Sequence, residues 1–255
     1  MINVHVSLSN TEVFEHGTND EQHLCNAPRQ SSQFRFYSFA MKTKKPNFLL
    51  PRFLLLLIAF CMSGILAFAG KQIDLLTSKT ISLNKNWVLE KGVLSPSKTP
   101  GGIIWSKDKY GDFKITLQYK TSAKANSGLF FRSDPKNAVQ GGFEIQIASP
   151  GIYGGKHVVG SLYDAKEPTV AAGKPDGEWN TMEVTCKGPS IQVVLNGKPV
   201  IDVDIDDWKE PRKNPDGSKN KFKTALKDLP RTGHLGLQYH GQPVWFRNMK
   251  VTPLK

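Results

Sequence analysis

Cysteine is nearly missing from this chain: there are three in 255 residues, and two of them, Cys25 and Cys61, precede residue 70. The part after residue 70 keeps only Cys186, so no disulfide can form within it. No His/Cys cluster has the spacing of a zinc site, and no Gly-rich loop sits between a strand and a helix to cradle a phosphate. Apolar residues at helical spacing are also scarce. One weak helical candidate spans Lys221 to Lys227, and a short turn is expected near Asp206 to Trp208. Acids are outnumbered, 22 Asp and Glu against 34 Lys and Arg. The excess concentrates in "KEPRKNPDGSKNKFKTALKDLPR", residues 209–231, with eight basic residues and three acids. Pro and Gly interrupt that stretch and it holds a single aromatic. It reads as a solvated surface loop rather than a nucleic-acid site.

Long apolar runs occur once. Residues 41–69 place Lys42, Lys44, Lys45 and Arg52 ahead of an unbroken apolar run from Phe53 to Met62, followed by Ala67-Phe68-Ala69. That is the pattern of a cleaved secretory signal peptide, and the run is short for a membrane span. An uncut anchor or a lipid on Cys61 is the alternative, and the bulky Phe60 before Cys61 argues against the lipid. Translation is expected to start at Met41, with 1–40 a non-native or disordered extension. Residues 70–80 read as a linker and 81–255 as one domain, periplasmic or secreted. The part from residue 70 carries 28 Lys and Arg against 18 Asp and Glu, a net charge of +10.

What remains is dominated by alternation of period two. In "FKITLQYK" Phe113, Ile115, Leu117 and Tyr119 share one face and Lys114, Thr116, Gln118 and Lys120 the other. "IQVVLNGKPVIDVDI" is two strands joined by Asn196-Gly197, a strong hairpin signal. Cys186 alternates in phase with Met182 and Val184 and reads as a buried structural thiol. Many strands without helices make two packed sheets, and their number exceeds what a small barrel holds. The fold class is therefore all-β, a jelly-roll sandwich of two antiparallel sheets.

Three strands carry an unusual polar parity. In "ANSGLFFRS" Asn126, Gly128, Phe130 and Arg132 oppose Leu129 and Phe131. In "GGFEIQIASPG" Glu144 and Gln146 oppose Phe143, Ile145 and Ile147. In "HLGLQYH" Gln238 and His240 oppose Leu235, Leu237 and Tyr239. Side chains two apart on a strand point the same way. If these strands are neighbours, Asn126, Arg132, Glu144, Gln146, Gln238 and His240 converge outside the core. Amides, a guanidinium, a carboxylate and an imidazole both donate to and accept from sugar hydroxyls. A solvated sheet face is the ordinary alternative, but such faces favour Lys, Thr and Glu. Some glucan-cleaving sandwiches place three acids as Glu-x-Asp-x-x-Glu. Here those positions hold Glu144, Gln146 and Ser149, so only one acid is present.

In order, "NSGLFFR", "GGFEIQI", "GSLYD", "KPDGEWNTMEV", "VVLNGKPV" and "GHLGLQYHG-PVWFRNMKV" resemble the 3-keto-disaccharide hydrolase family, from about Ile81 to Val251. The resemblance implies a concanavalin-like jelly roll. It also implies chemistry on glycosides oxidised to a ketone at C3: loss of the C2 proton, elimination of the C1 substituent, then hydration. That route needs one base rather than a carboxylate pair. It implies Glu144 as base and His240 as second acid or base. Arg132 and Gln146 would sit at the ketone or enolate oxygen, Asn126, Tyr163 and Gln238 at hydroxyls, and Trp179 at the rim. No cofactor or metal is implied, and the partner is a small glycoside or oligosaccharide. Relatives often carry Asp in place of Ser149. The competing reading is a non-catalytic carbohydrate-binding module. A buried Glu144 bonded to His240 would favour the enzyme, and an exposed, unpartnered one the module.

Overall fold

Alternating side chains and left-handed turns build this fold, and a computed structural model describes it for residues 70–97 and 102–255. The expected leader at 41–69 and the extension before it lie outside the described residues. The strands, in chain order, are β1 (Ile73–Asp74), β2 (Trp87–Glu90), β3 (Val93–Pro96), β4 (Gly102–Tyr110), β5 (Phe113–Thr121), β6 (Asn126–Ser133), β7 (Phe143–Ala148), β8 (Asn180–Lys187), β9 (Ser190–Leu195), β10 (Lys198–Asp204), β11 (Gly233–Tyr239) and β12 (Val244–Pro253). They form two antiparallel sheets. The larger runs β10-β9-β8-β5-β12-β3-β2, with β1 also on β12, and the smaller runs β4-β11-β6-β7.

The alternation of β5 is realised in full. Phe113, Ile115, Leu117 and Tyr119 are buried, and Lys114, Thr116, Gln118 and Lys120 face outward. Phe143, Ile145 and Ile147 of β7 enter the same core from the smaller sheet. Aromatic rings join the layers: Phe113 lies 6.3 Å from Phe131, edge to face, and Phe131 stacks 5.5 Å from Phe143. Full burial of each such side chain contributes about 1.5–3 kcal/mol. Cys186 is fully buried, and burial pushes its thiol up to about 12, so it is inert at neutral pH. The β9–β10 turn has Asn196 and Gly197 at φ of 51° and 79°. Two consecutive left-handed residues match the right-handed twist of a two-residue hairpin.

Three expectations need correction. Residues 70–80 are not a linker. Gly70 donates to the Pro253 carbonyl, β1 pairs with β12, and Leu75 is fully buried. The helical candidate at 221–227 yields only a 3-10 turn at Leu226–Asp228. The basic stretch is more than a solvated loop, because Asn214, Phe222, Ala225, Leu226 and Leu229 anchor it in the protein. Apolar side chains spaced irregularly along it escaped a periodicity argument.

Candidate functional site

The outer face of the smaller sheet carries the site. Period two sends Glu144 and Gln146 away from the core of β7, yet Glu144 is only 8% exposed and Gln146 1%. Cross-strand register sets Trp105 of β4, Gly236 of β11, Phe130 of β6 and Glu144 of β7 in one row. The next row holds Ile103 opposite Gln238, and Gly128 opposite Gln146.

Two glycines make the floor. A Cβ on Gly128 would lie 2.1 Å from Glu144 Oε1, and one on Gly236 would lie 2.6 Å from Trp105 Cε3. The carboxylate therefore rests on Gly128 and the indole on Gly236, where any side chain would displace them. Trp105 meets Phe130 edge to face at 6.0 Å. Gln146 Nε2 donates to Asn126 Oδ1 at 3.0 Å, and its own Oε1 is buried without a donor among the described residues.

The segment after β7 returns along its edge. Gln146 N donates to the Ser161 carbonyl, Gly160 N to that of Gln146, and Tyr163 N to that of Glu144. This sets Tyr163 beside Glu144. The Tyr163 ring lies 4.7 Å from the His157 ring, and Lys221 Nζ sits 3.7 Å from its centroid on the other part of the cluster. His157 Nε2 pairs with Asp164 Oδ1 at 3.0 Å, while Asp164 Oδ2 accepts from the Lys221 backbone N–H at 2.5 Å. Asp164 thus clamps the basic loop so that Lys221 points into the site.

Burial pushes the Glu144 carboxyl up to about 7, against the Lys221 ammonium, which pulls it down. Burial lowers the Lys221 ammonium, opposed by Glu144 and Asp164. The Tyr163 phenol is raised, first by burial, then by Glu144, Asp164 and Tyr153. A carboxyl that titrates near neutrality suits a general base. Lys221 is the charged group that opposes burial at Glu144.

The structure brings Asn126, Glu144, Gln146, Tyr163 and Gln238 to this region and leaves three expected residues out. Arg132 is fully buried at the far end of β6. Its guanidinium donates to the Gly111 and Gly188 carbonyls and to Asp112 Oδ1. The reason is a bulge: Arg132 has φ of 48° and the β6–β11 register shifts there, which reverses the parity read from sequence. Trp179 belongs to the outer face of the other sheet, beneath Arg247 at 3.9 Å and beside Lys120 at 5.3 Å. His240 falls just past the end of β11, is exposed, and makes no bond to Glu144. Glu144 is buried as the enzyme reading requires, but the imidazole of this cluster is His157.

Lys221, His157 and Asp164 were not singled out from sequence. Nothing periodic marks Lys221 within its loop. Trp105 did carry a signal, since an indole on the parity opposite Ile104 and Ser106 cannot enter the core. Ser149 donates to Asp176 Oδ2 at 2.6 Å, and Asp176 Oδ1 accepts from Thr121 Oγ1. A loop carboxylate therefore stands beside the position. Among the described residues no three His, Cys, Asp or Glu side chains group as metal ligands.

Known proteins share this fold and sequence. A curated 3-keto-disaccharide hydrolase of Bacteroides thetaiotaomicron is 24% identical, covering 66% of this chain and 70% of that protein. A solved Parabacteroides distasonis structure named "putative glycosyl hydrolase" is 34% identical, with TM-score 0.68, covering 72% of this chain and all of that one. A second structure so named, from the same organism, shares the fold at 23% identity and TM-score 0.61, covering 72% of this chain and 94% of that one. The family model for the 3-keto-alpha-glucoside-1,2-lyase-like domain matches residues 67–252. This chain is a member of that family, a carbohydrate-active domain of the glycosyl hydrolase kind.

Proposed function

We propose that the domain cleaves 3-keto glucosides by elimination across C1 and C2, followed by hydration. The observation that carries this reading is Glu144: one buried carboxyl, tuned to neutrality, with an ammonium and a phenol beside it. Ordinary retaining hydrolysis needs two carboxylates about 5 Å apart. A ketone at C3 removes that need by acidifying the C2 proton.

Glu144 takes the C2 proton, and the electrons of that bond move to the C3 oxygen as an enolate. The Lys221 ammonium stabilises the developing negative charge in a site with little water. The enolate collapses, a C1–C2 double bond forms, and the C1–oxygen bond breaks with its electron pair on the leaving oxygen. The Tyr163 phenol gives that oxygen a proton. Water then adds at C1, returns a proton to Tyr163, and Glu144 gives its proton back to C2. The net change is hydrolysis. Asn126, Gln146 and Gln238 hold hydroxyls, and Trp105 is the stacking surface. The leader read at 41–69 would deliver the domain outside the cytoplasm.

The protein is expected to release the aglycone of a 3-keto glucoside and to leave the matching unoxidised glucoside intact. Release from both would refute the elimination route. Saturable binding of the sugar without release from either would make the domain a carbohydrate-binding module.

A further inference from the structure

The larger sheet has an outer face of its own, on the side of the sandwich away from Glu144, and the reaction above makes no use of it. Three neighbouring strands, β8, β5 and β12, build it. Register sets Trp245 opposite Lys120 and Arg247 opposite Gln118. Trp179 comes in from the β8 side, just before Asn180, which pairs with Tyr119. Lys120 Nζ thus lies between two indoles, 4.7 Å from the Trp245 centroid and 5.3 Å from that of Trp179.

The Arg247 guanidinium stacks 3.9 Å from the centroid of the Trp179 ring, and Gln118 fixes it there. Gln118 Oε1 accepts from Arg247 Nε at 2.8 Å and from Asn248 Nδ2 at 3.0 Å, and its Nε2 donates to Thr181 Oγ1. Among the described residues the two Nη groups of Arg247 make no hydrogen bond, and neither Arg247 nor Lys120 pairs with a carboxylate. A guanidinium held on an indole, with both Nη groups open, is arranged for a bidentate carboxylate. Its order is set before a ligand arrives, so less entropy is lost on binding. The partly exposed Trp245 offers an apolar ring beside it. Outward along these strands stand Lys114, Lys120, Lys187, Arg247 and Lys250 against one acid, Glu183, which Lys114 already holds. Each of the three strands is bonded on both sides, so a peptide cannot join as a further strand. A sugar ring with an apolar face and a carboxylate at its edge fits both parts of the surface.

We propose that this face is a second, non-catalytic carbohydrate site, for glycans that carry uronate residues. It does not depend on the reaction assigned to Glu144. Calorimetry of the protein with tetragalacturonate tests it, beside the methyl ester of the same sugar and tetraglutamate. Saturable binding of tetragalacturonate is expected, with neither of the other two bound comparably. Arg247→Gln and Trp245→Ala each weaken it roughly tenfold or more, and Glu144→Gln leaves it unchanged. Lys120→Gln removes a charge and no hydrogen bond of the cluster, so a loss of affinity there cannot come from misfolding. Absence of binding, equal binding of the methyl ester, or full affinity in both Arg247→Gln and Lys120→Gln overturns the site. Tetraglutamate bound as tightly would make the face a surface for acidic peptides and overturns the glycan. Binding lost in Glu144→Gln and kept in Arg247→Gln would place the uronate on the smaller sheet and likewise overturns it.

Discussion

Glu144→Gln is expected to make the protein more stable near pH 8 and to abolish turnover. The unfolded chain ionises this residue above 4.5, whereas the folded state retains its proton up to about 7. Between those values the native state binds the extra proton, so stability falls as pH rises. The cost of the buried charge is absent below 4.5 and fully present above 7. At about 1.4 kcal/mol per pH unit it reaches up to about 3 kcal/mol. Glutamine carries no charge to desolvate, so its melting temperature near pH 8 should exceed that of the wild type by roughly 5–10 °C. At about pH 4 the two should melt together. Loss of a general base lowers kcat by about 10²–10⁴. Thermal scans at both pH values, with turnover measured alongside, check the prediction. A variant with unchanged stability and full activity would mean that Glu144 is neither desolvated nor the base.

Arg132→Met should do the reverse: unfold readily and leave the chemistry alone. The guanidinium is completely buried and holds two carbonyls, Gly111 and Gly188, together with Asp112. Asp112 also accepts from the Gly188 backbone N–H, so this one side chain ties β6 to the β4–β5 turn that links the two sheets and to the β8–β9 turn of the larger one. Methionine keeps the stem and loses every bond. Hydrogen bonds to a charged group are worth about 1.5–3 kcal/mol each, and breaking a buried pair costs about 3–5 kcal/mol in total. The expected fall in melting temperature is roughly 10 °C or more. Turnover well below the transition should keep its KM. A normal melting temperature with a raised KM would return Arg132 to the substrate, the role its strand parity first suggested.

Arg132 also marks where strand patterning stops being informative. Alternation was legible wherever a strand stays regular, as in β5 and β7, and this was enough for the sandwich, the core and the outward aim of Glu144 and Gln146. It fails where one residue enters the left-handed region. At Arg132 a single bulge exchanges inside for outside. Trp179 fails for a different reason: its rim place came with the resemblance and from no pattern of its own, and it lies just before β8, which belongs to the larger sheet. His240 has the right parity but one residue too many, since β11 ends at Tyr239. Lys221 could not be found at all. Its place depends on a contact across the fold, between its own backbone N–H and Asp164, and no local pattern records such a contact. Trp105 was legible, because an indole on the parity opposite Ile104 and Ser106 stands on the polar face.

The central claim is that Glu144 removes the C2 proton. It is tested most directly by incubating a 3-keto glucoside with the protein in D2O and following the C2 hydrogen by NMR. Enzyme-dependent exchange of that position, alongside elimination, is the predicted result, together with its loss in Glu144→Gln. Release of the aglycone with the C2 hydrogen fully retained, and with no kinetic isotope effect on a C2-deuterated substrate, would contradict the account, because the C1 bond would then break without any proton leaving C2.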